Sequence, residues 1–497
     1  MRPPWDWPGC GPGRVGLARL RAGPRADDNG SVTRVLILGG GPAGYEAALV
    51  AAQLGAEVTL VDRDGLGGAC VLTDCVPSKA LIATSAKLTN LRGAPALGVN
   101  ISSAVEIDIK GVNARIRGLA AQQSDDVRAR LVREDVSIIQ GAGRFSADQS
   151  GRVHRIEVVD EAGDVRDSLE ADVVLLATGG TPRVLPGAVP DGERILSWRD
   201  LYDLTELPEH LIVIGSGVTG AEFASGYGEL GVAVTLVSSR DRVLPGEDPD
   251  AAEVIEQVFT AHGGNLIRRA RAQTVRRKAD AVVVELADGR TIEGSHALLC
   301  VGSTPNTTSL GLENAGVALD ASGYIATDRV SRTNIASIYA AGDCTGVLLL
   351  ASVAAMQGRI AMWHALGEAV APLRLKTVSA TIFTHPEIAT VGIGYHAIAS
   401  GEVPARTVTL PFGTNARSKM QAEVAGFVKV YCRPATGAVI GATIVAPGAS
   451  ELILPLTMAV QRGLSVNDLA STIAVYPSLS GSITEAAIRL MHHDDLD

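Results

Sequence analysis

Cys70 and Cys75 stand in "GGACVLTDCVPSK", residues 67–79, with four residues between them and followed by Lys79. Two thiols this near in sequence can store and release an electron pair, provided that one of them ionises, because the thiolate is the nucleophile. Ionisation needs a base beside the thiol. The stretch is therefore either a working dithiol or the remnant of one in an enzyme that sends its electrons elsewhere. The two readings name different substrates, and the elements that position the cysteines must decide between them.

Upstream, "RVLILGGGPAGYEAALVAAQLGAEVTLVDRD" gives an apolar strand, a glycine turn, a helix and a second strand ending in an acid. Gly39 makes the tight turn, Gly41 lets backbone approach a pyrophosphate and Gly44 allows close packing of the helix, whose N-terminal N–H groups face the anion. Asp62 lies where a carboxylate can hold the hydroxyls of an adenosine ribose. Strand, turn, helix and distant acid together predict a dinucleotide site.

A second copy follows in "HLIVIGSGVTGAEFASGYGELGVAVTLVSSRDRVLP", with Gly215, Gly217 and Gly220 in the same setting. Two sites imply two dinucleotides. Ser238 replaces the acid of the first copy and is followed by Ser239 and Arg240. A carboxylate there would repel a 2′-phosphate, whereas Ser and Arg accommodate one, so NADPH is expected to serve at least as well as NADH. A loop indifferent to the phosphate is the alternative.

The chain has 497 residues, enough for roughly three domains. It is rich in glycine (55) and poor in aromatics (4%), which favours tight βα turns over an all-β sandwich. A net charge of −10 argues against nucleic acid as the main partner. Cys10, Cys70, Cys75, Cys300, Cys344 and Cys432 form no even framework, so a reducing, cytoplasmic setting is expected. No apolar run reaches membrane-spanning length, and no metal-ligand cluster stands out. Residues 1–31, with five Arg among Pro and Gly, read as a disordered or non-native extension.

Two further segments complete the pattern: "ADVVLLATGGTPRVLPG" at 171–187, containing Thr178 and Gly179, and "IYAAGDCTG" at 338–346, containing Asp343. From residue 32 to about 490 the chain resembles the flavoprotein pyridine nucleotide-disulfide oxidoreductases, the family of glutathione reductase and dihydrolipoyl dehydrogenase. GGGPAG, CVLTDCVPSK, ATGGTP, GSGVTGAE, AAGD and a C-terminal block occur in the family's order. The resemblance implies an α/β fold with two Rossmann-like dinucleotide-binding domains and a C-terminal α+β dimerisation domain. It assigns FAD to the first site, with Gly39, Gly41, Gly44, Asp62, Lys79, Thr178, Gly179 and Asp343. It assigns NADPH or NADH to the second, with Gly215, Gly217, Gly220, Glu222, Ser238, Ser239, Arg240 and Gly302. The implied division is 32–187 with 305–372 for FAD, 188–304 for the nicotinamide nucleotide and 373–497 for a homodimer interface. Lys79 would lie near flavin N5 and pair with Glu222, where a cation stabilises charge on reduced flavin.

The resemblance also makes Cys70 the interchange thiol and Cys75 the flavin-facing one. On a regular helix their spacing is about one and a half turns, so the first turn must be distorted before the sulfurs can join. The family's base is a histidine with a glutamate five residues on, supplied by the partner subunit. In "AVYPSLSGSITEAA", residues 474–487, Tyr476 occupies the histidine position and Gly481 the glutamate position. Glu485 matches a later family position, and His492 and His493 belong to a polar tail. His385, in "HPEIA", matches a structural position of the family. Loss of an imidazole removes about 10² to 10⁴ in rate from thiol chemistry but leaves hydride transfer intact. Tyrosine, with a pKa near 10, is a poor base at neutral pH, yet it can donate a hydrogen bond to a carbonyl. The combination resembles the branch of the family that passes electrons from NAD(P)H through flavin to a quinone or dye. The retained cysteines keep a disulfide reductase, such as a dihydrolipoyl dehydrogenase, as the alternative, and a flavin redox sensor as a third reading.

Overall fold

The computed structural model describes residues 32–491 except 101, 103, 104 and 150–152. Residues 1–31 and both histidines of the C-terminal tail, His492 and His493, lie outside the described residues.

The apolar run Arg34–Leu38 forms the middle strand of a five-stranded parallel sheet. Glu57–Asp62 and then Ser137–Gln140 lie on one side, and Val173–Leu176 and then Ile338–Ala340 on the other. Strands covered on both faces read as continuous apolar runs, as Val173–Leu176 does with all four residues buried. His210–Ile214 occupies the same central place in a second parallel sheet, flanked by Ala233–Val237 and Asn265–Ile267 on one side and His296–Leu299 and Ile195–Ser197 on the other. In each sheet the chain turns outward in opposite directions on either side of the central strand. The crevice beyond its carboxyl end is therefore a topological switch point, where open α/β sheets take ligands.

A third sheet is antiparallel, ordered Ser379–Ile382, Glu387–Gly392, Val439–Ala446, Phe427–Cys432 and Arg406–Pro411. Every residue of Phe427–Cys432 and Val439–Ala446 is buried, because the helices Leu454–Arg462 and Gly481–Met491 contribute to the apolar cluster around that sheet. The two parallel sheets and this α+β layer agree with the expected fold class. Gly180–Pro182 pairs antiparallel with Ser303–Pro305, joining the segments that leave the two parallel sheets.

Helix Pro42–Gln53 starts with Pro at its first turn, where the missing N–H costs nothing, and buries an alanine-rich face. Helix Ala351–Ala365 lies against it so closely that a Cβ on Gly358 would sit 2.1 Å from the Ala43 carbonyl oxygen. Among the described residues no helix is long and apolar enough to cross a membrane.

Candidate functional site

The two glycine motifs have the same internal logic. Gly39 and Gly215 adopt φ of +105° and +108°, and a Cβ on either would meet the carbonyl oxygen of Ala177 or Cys300 at 2.3 or 2.2 Å. A Cβ on Gly44 or Gly220 would lie 1.8 Å from the oxygen of Gly39 or Gly215. These four positions are glycine for reasons internal to the chain. The middle glycines differ: a Cβ on Gly41 would have only Gly68 Cα at 4.0 Å, and one on Gly217 would meet nothing within 4 Å. Each middle glycine leaves space at a helix N-terminus that the protein itself does not use, which is the cradle an anionic phosphate needs.

The first cradle opens into a cleft of about 850 Å³ lined by Gly39, Gly41, Asp62, Cys70, Cys75 and Asp343, among others. Asp62 accepts hydrogen bonds from the backbone N–H of Gly40 at 2.6 Å and Gly65 at 2.5 Å, one on each oxygen. Both oxygens retain a lone pair that a hydroxyl can use. Burial raises the Asp62 pKa against those two donors. Thr178 and Gly179 are clasped by Asn306: Thr178 Oγ1 donates to its carbonyl at 2.7 Å, and its side-chain amide donates to the Thr178 carbonyl at 2.9 Å. Asp343 is pushed up to about 6 by burial, with the nearby Asp74 charge adding to it. Arg199 also lines the cleft, and its Nε is buried without a hydrogen-bond partner.

The helix carrying the cysteines is broken between them. Gly68–Leu72 and Cys75–Gly93 are separate helices, with Thr73 and Asp74 out of helical geometry at the junction. The break brings the two sulfurs within hydrogen-bonding reach of each other as free thiols. That shared bond lowers the Cys70 pKa and raises that of Cys75, while burial and the Asp74 charge push both upward. No histidine lines the cleft among the described residues.

Lys79 Nζ and Glu222 Oε2 are 2.7 Å apart across 143 residues of sequence. The other oxygen of Glu222, Oε1, accepts from the Phe383 N–H at 2.9 Å, and Lys79 Nζ lies 5.1 Å from the Phe383 ring centre. One carboxylate thus ties together the cysteine helix, the helix of the second glycine motif and the antiparallel layer. Burial works to lower the Lys79 pKa, but the charge and hydrogen bond of Glu222, together with the nearby Cys75 and Asp74, outweigh it and leave the ammonium raised.

Around the second cradle, Ser239 and Arg240 are exposed, but Ser238 is fully buried. Its hydroxyl lies 2.7 Å from Ser216 Oγ and accepts from the Arg240 N–H at 3.1 Å. The expectation that Ser238 faces a phosphate therefore needs correction, since a small hydroxyl at the strand end is drawn in to satisfy the turn's backbone. Gly302 follows the same sheet with φ +93°, its carbonyl accepting from the Arg183 N–H at 2.9 Å. His385 lines a different cavity with Glu229, and Glu387 Oε2 accepts from the Ser450 N–H at 2.8 Å. Tyr476 is 85% exposed, within a segment where Ile473 is 97% and Val475 76% exposed. Gly481 opens the terminal helix, and Glu485 pairs with Arg489 at 3.1 Å on that helix.

Asp74, Arg199, Asn306 and Phe383 were not anticipated from the sequence. Asp74 carries a signal, lying between the cysteines, whereas the others reach the site only through long-range folding.

The family model of the pyridine nucleotide-disulphide oxidoreductases matches residues 33–358, and that of their dimerisation domain matches residues 378–487. The chain is 58% identical over 471 residues to a protein of Mycobacterium tuberculosis named NAD(P)H dehydrogenase (quinone), covering 94% of this chain and 95% of the relative. It is 35% identical to dihydrolipoyl dehydrogenase 2 of Haloarcula marismortui, covering 92% and 96%. A crystal structure of LpdA from Mycobacterium tuberculosis superposes with a TM-score of 0.89 at 58% identity, covering 93% of this chain and 100% of that one. The chain is an oxidoreductase that belongs to the pyridine nucleotide-disulphide oxidoreductase family.

Proposed function

We propose that the protein is an FAD-dependent NAD(P)H dehydrogenase that reduces quinones. The observation that carries this reading is that Tyr476 and Gly481 stand where the family's partner-supplied histidine and glutamate would be, while both thiols line the cleft. It is supported by the 58% identical relative named for quinone reduction.

The donor set fits FAD. The Gly41 cradle suits a pyrophosphate, Asp62 the adenosine ribose, and Asp343 the ribityl chain, while the orphaned Arg199 Nε offers a donor to the same cleft. When bound, the flavin supplies the two-electron relay between nicotinamide and acceptor. Lys79, paired with Glu222, places a cation close to the thiols that line the cleft, where it would favour a negatively charged reduced cofactor. The segment 188–304 would take the nicotinamide nucleotide with its phosphates on the Gly217 cradle, and Ser239 and Arg240 would accommodate a 2′-phosphate.

Residues 373–497 would form a two-fold dimer. Ile473, Val475 and Tyr476 are too exposed and too apolar for a solvated loop, so a second copy is their natural cover. Tyr476 would then line the partner's acceptor pocket and donate a hydrogen bond to a quinone carbonyl.

The purified flavoprotein should turn over NADPH with a quinone, negligibly with lipoamide, and a Cys70→Ser variant should keep its quinone rate. Lipoamide turnover that vanishes with Cys70 would favour the second reading, a dihydrolipoyl dehydrogenase, which the adjacent thiols and the 35% identical relative support.

A further inference from the structure

Asp74 is the N-cap residue of the 19-residue helix Cys75–Gly93, yet its side chain makes no capping hydrogen bond. An Asp at this position ordinarily accepts from the first turn and so stabilises the helix start. Asp74 lines the cleft alongside Cys70, Cys75 and Asp343.

We propose that Asp74 is the proton donor of the cleft, giving a quinone-type acceptor the proton that must accompany its two-electron reduction. The proposal rests on the quinone-reducing reading above. Converting a quinone to a hydroquinone takes two electrons and two protons. The hydride that NAD(P)H gives up accounts for both electrons and one proton. The second oxygen–hydrogen bond forms as the O–H bond of the Asp74 carboxyl breaks. The carboxylate then regains a proton from water, so each turnover oxidises one NAD(P)H, reduces one quinone and consumes one solvent proton.

The surroundings suit an acid that must hold a proton and then lose it. Burial raises the Asp74 pKa even though a helix N-terminus favours an anion, and the Glu222 charge raises it further. Asp343 is a second carboxyl within its field. Lys79 and Arg199 are the cations facing it, and they stabilise the carboxylate left after transfer. The remaining titratable groups in its field, Cys70, Cys75, Tyr202 and Cys300, all have their own ionisation opposed by it, so none is set to replace it as an acid–base group.

Asp74→Asn keeps the shape and removes the acid proton. The holoenzyme variant should reduce a quinone at neutral pH about 10²-fold more slowly. It should still reduce ferricyanide, which accepts electrons without protons, and Asp74→Glu should recover much of the quinone rate. A second readout is independent of turnover: the infrared band of a protonated carboxyl should titrate in the wild type and be missing from Asp74→Asn. An Asp74→Asn enzyme with the wild-type quinone rate and pH profile would overturn the proposal. So would equal loss of quinone and ferricyanide reduction without rescue by Glu, which would make Asp74 a cofactor-positioning residue. Wild-type enzyme that reduces ferricyanide but no quinone would remove the underlying reading itself, and is told apart by needing no variant.

Discussion

Alanine at Gly44 and alanine at Gly41 add the same methyl group three residues apart, yet they should fail in different ways. At Gly44 the new Cβ would stand 1.8 Å from the Gly39 carbonyl oxygen, where ordinary contacts begin at 3.4 Å, so helix and strand must separate by about 1.5 Å. Overpacking typically costs about 1–3 kcal/mol, and a backbone–backbone clash belongs at the upper end. With about 2–4 °C lost per kcal/mol, Gly44→Ala should lower Tm by roughly 6–12 °C. At Gly41 the nearest atom is 4.0 Å away, so the fold should change by no more than the preference of an N-cap for Gly over Ala, about 1 kcal/mol or less. The methyl would instead enter the space assigned to the pyrophosphate and weaken flavin binding by about 10²-fold or more, equivalent to about 2.7 kcal/mol. Calorimetry and the flavin-to-protein absorbance ratio read the two effects separately. A Gly41→Ala protein with full flavin content would refute the assignment of that space to a ligand, and an unshifted Tm for Gly44→Ala would refute the packing argument.

Arg240→Ala should lower kcat/KM for NADPH by about tenfold or more and leave NADH within about twofold, since a charged hydrogen bond to the 2′-phosphate is worth about 1.5–3 kcal/mol. Equal loss with both nucleotides would remove Arg240 from phosphate recognition. Asp343 binds its proton more tightly in the folded state, at about 6, than in an unfolded chain, at 3.8. Its contribution is therefore fully present below pH 3.8 and is lost as pH rises to about 6, a decline of about 3 kcal/mol. Denaturant titrations of flavin-stripped wild type and Asp343→Asn across that window should differ in slope; parallel curves would contradict the shift. Tyr476→Phe should leave Tm unchanged, as expected of a residue 85% exposed on the single chain, and should slow quinone turnover while sparing flavin reduction by NADPH. Light scattering should give a dimer for both forms, and a monomer would leave Tyr476 with no pocket to line.

Both glycine motifs were legible because their constraints are local: a turn with positive φ and a helix in contact with its own preceding strand leave a signature within one βαβ stretch. The Lys79–Glu222 pair was legible only through the family resemblance, because the two lie 143 positions apart and no local pattern links them. Ser238 stands where Asp62 stands in the first motif, and that match alone points it toward the ribose phosphate. The structure turns it inward, where the Ser216 hydroxyl and the Arg240 N–H compete successfully for its oxygen. Phe383 joins the site through its backbone N–H, a group every residue except proline has, so no sequence pattern could mark it. Arg199 has no sequence signal either, since its importance lies in an unpaired Nε that exists only once the cleft forms.

The cysteines that raise the question of substrate also bear on its answer. Adjacent thiols sharing one hydrogen bond would ordinarily make a ready nucleophile of the one whose pKa falls, here Cys70. Its neighbour Asp74 works against that, because a carboxylate there opposes ionisation of both thiols. A disulfide reductase would be hindered by such a group and would need a base at the position that Tyr476 occupies. A quinone reductase gains from it, because its acceptor needs a proton and not a thiolate. The same substitution therefore separates the two chemistries by pH: where Asp74 is ionised, Asp74→Asn should make Cys70 more reactive toward alkylation, and where Asp74 is protonated, it should make quinone reduction slower. If both rates moved in the same direction, Asp74 could not be serving as an electrostatic brake on the dithiol in its ionised form and as a proton source for the acceptor in its protonated form.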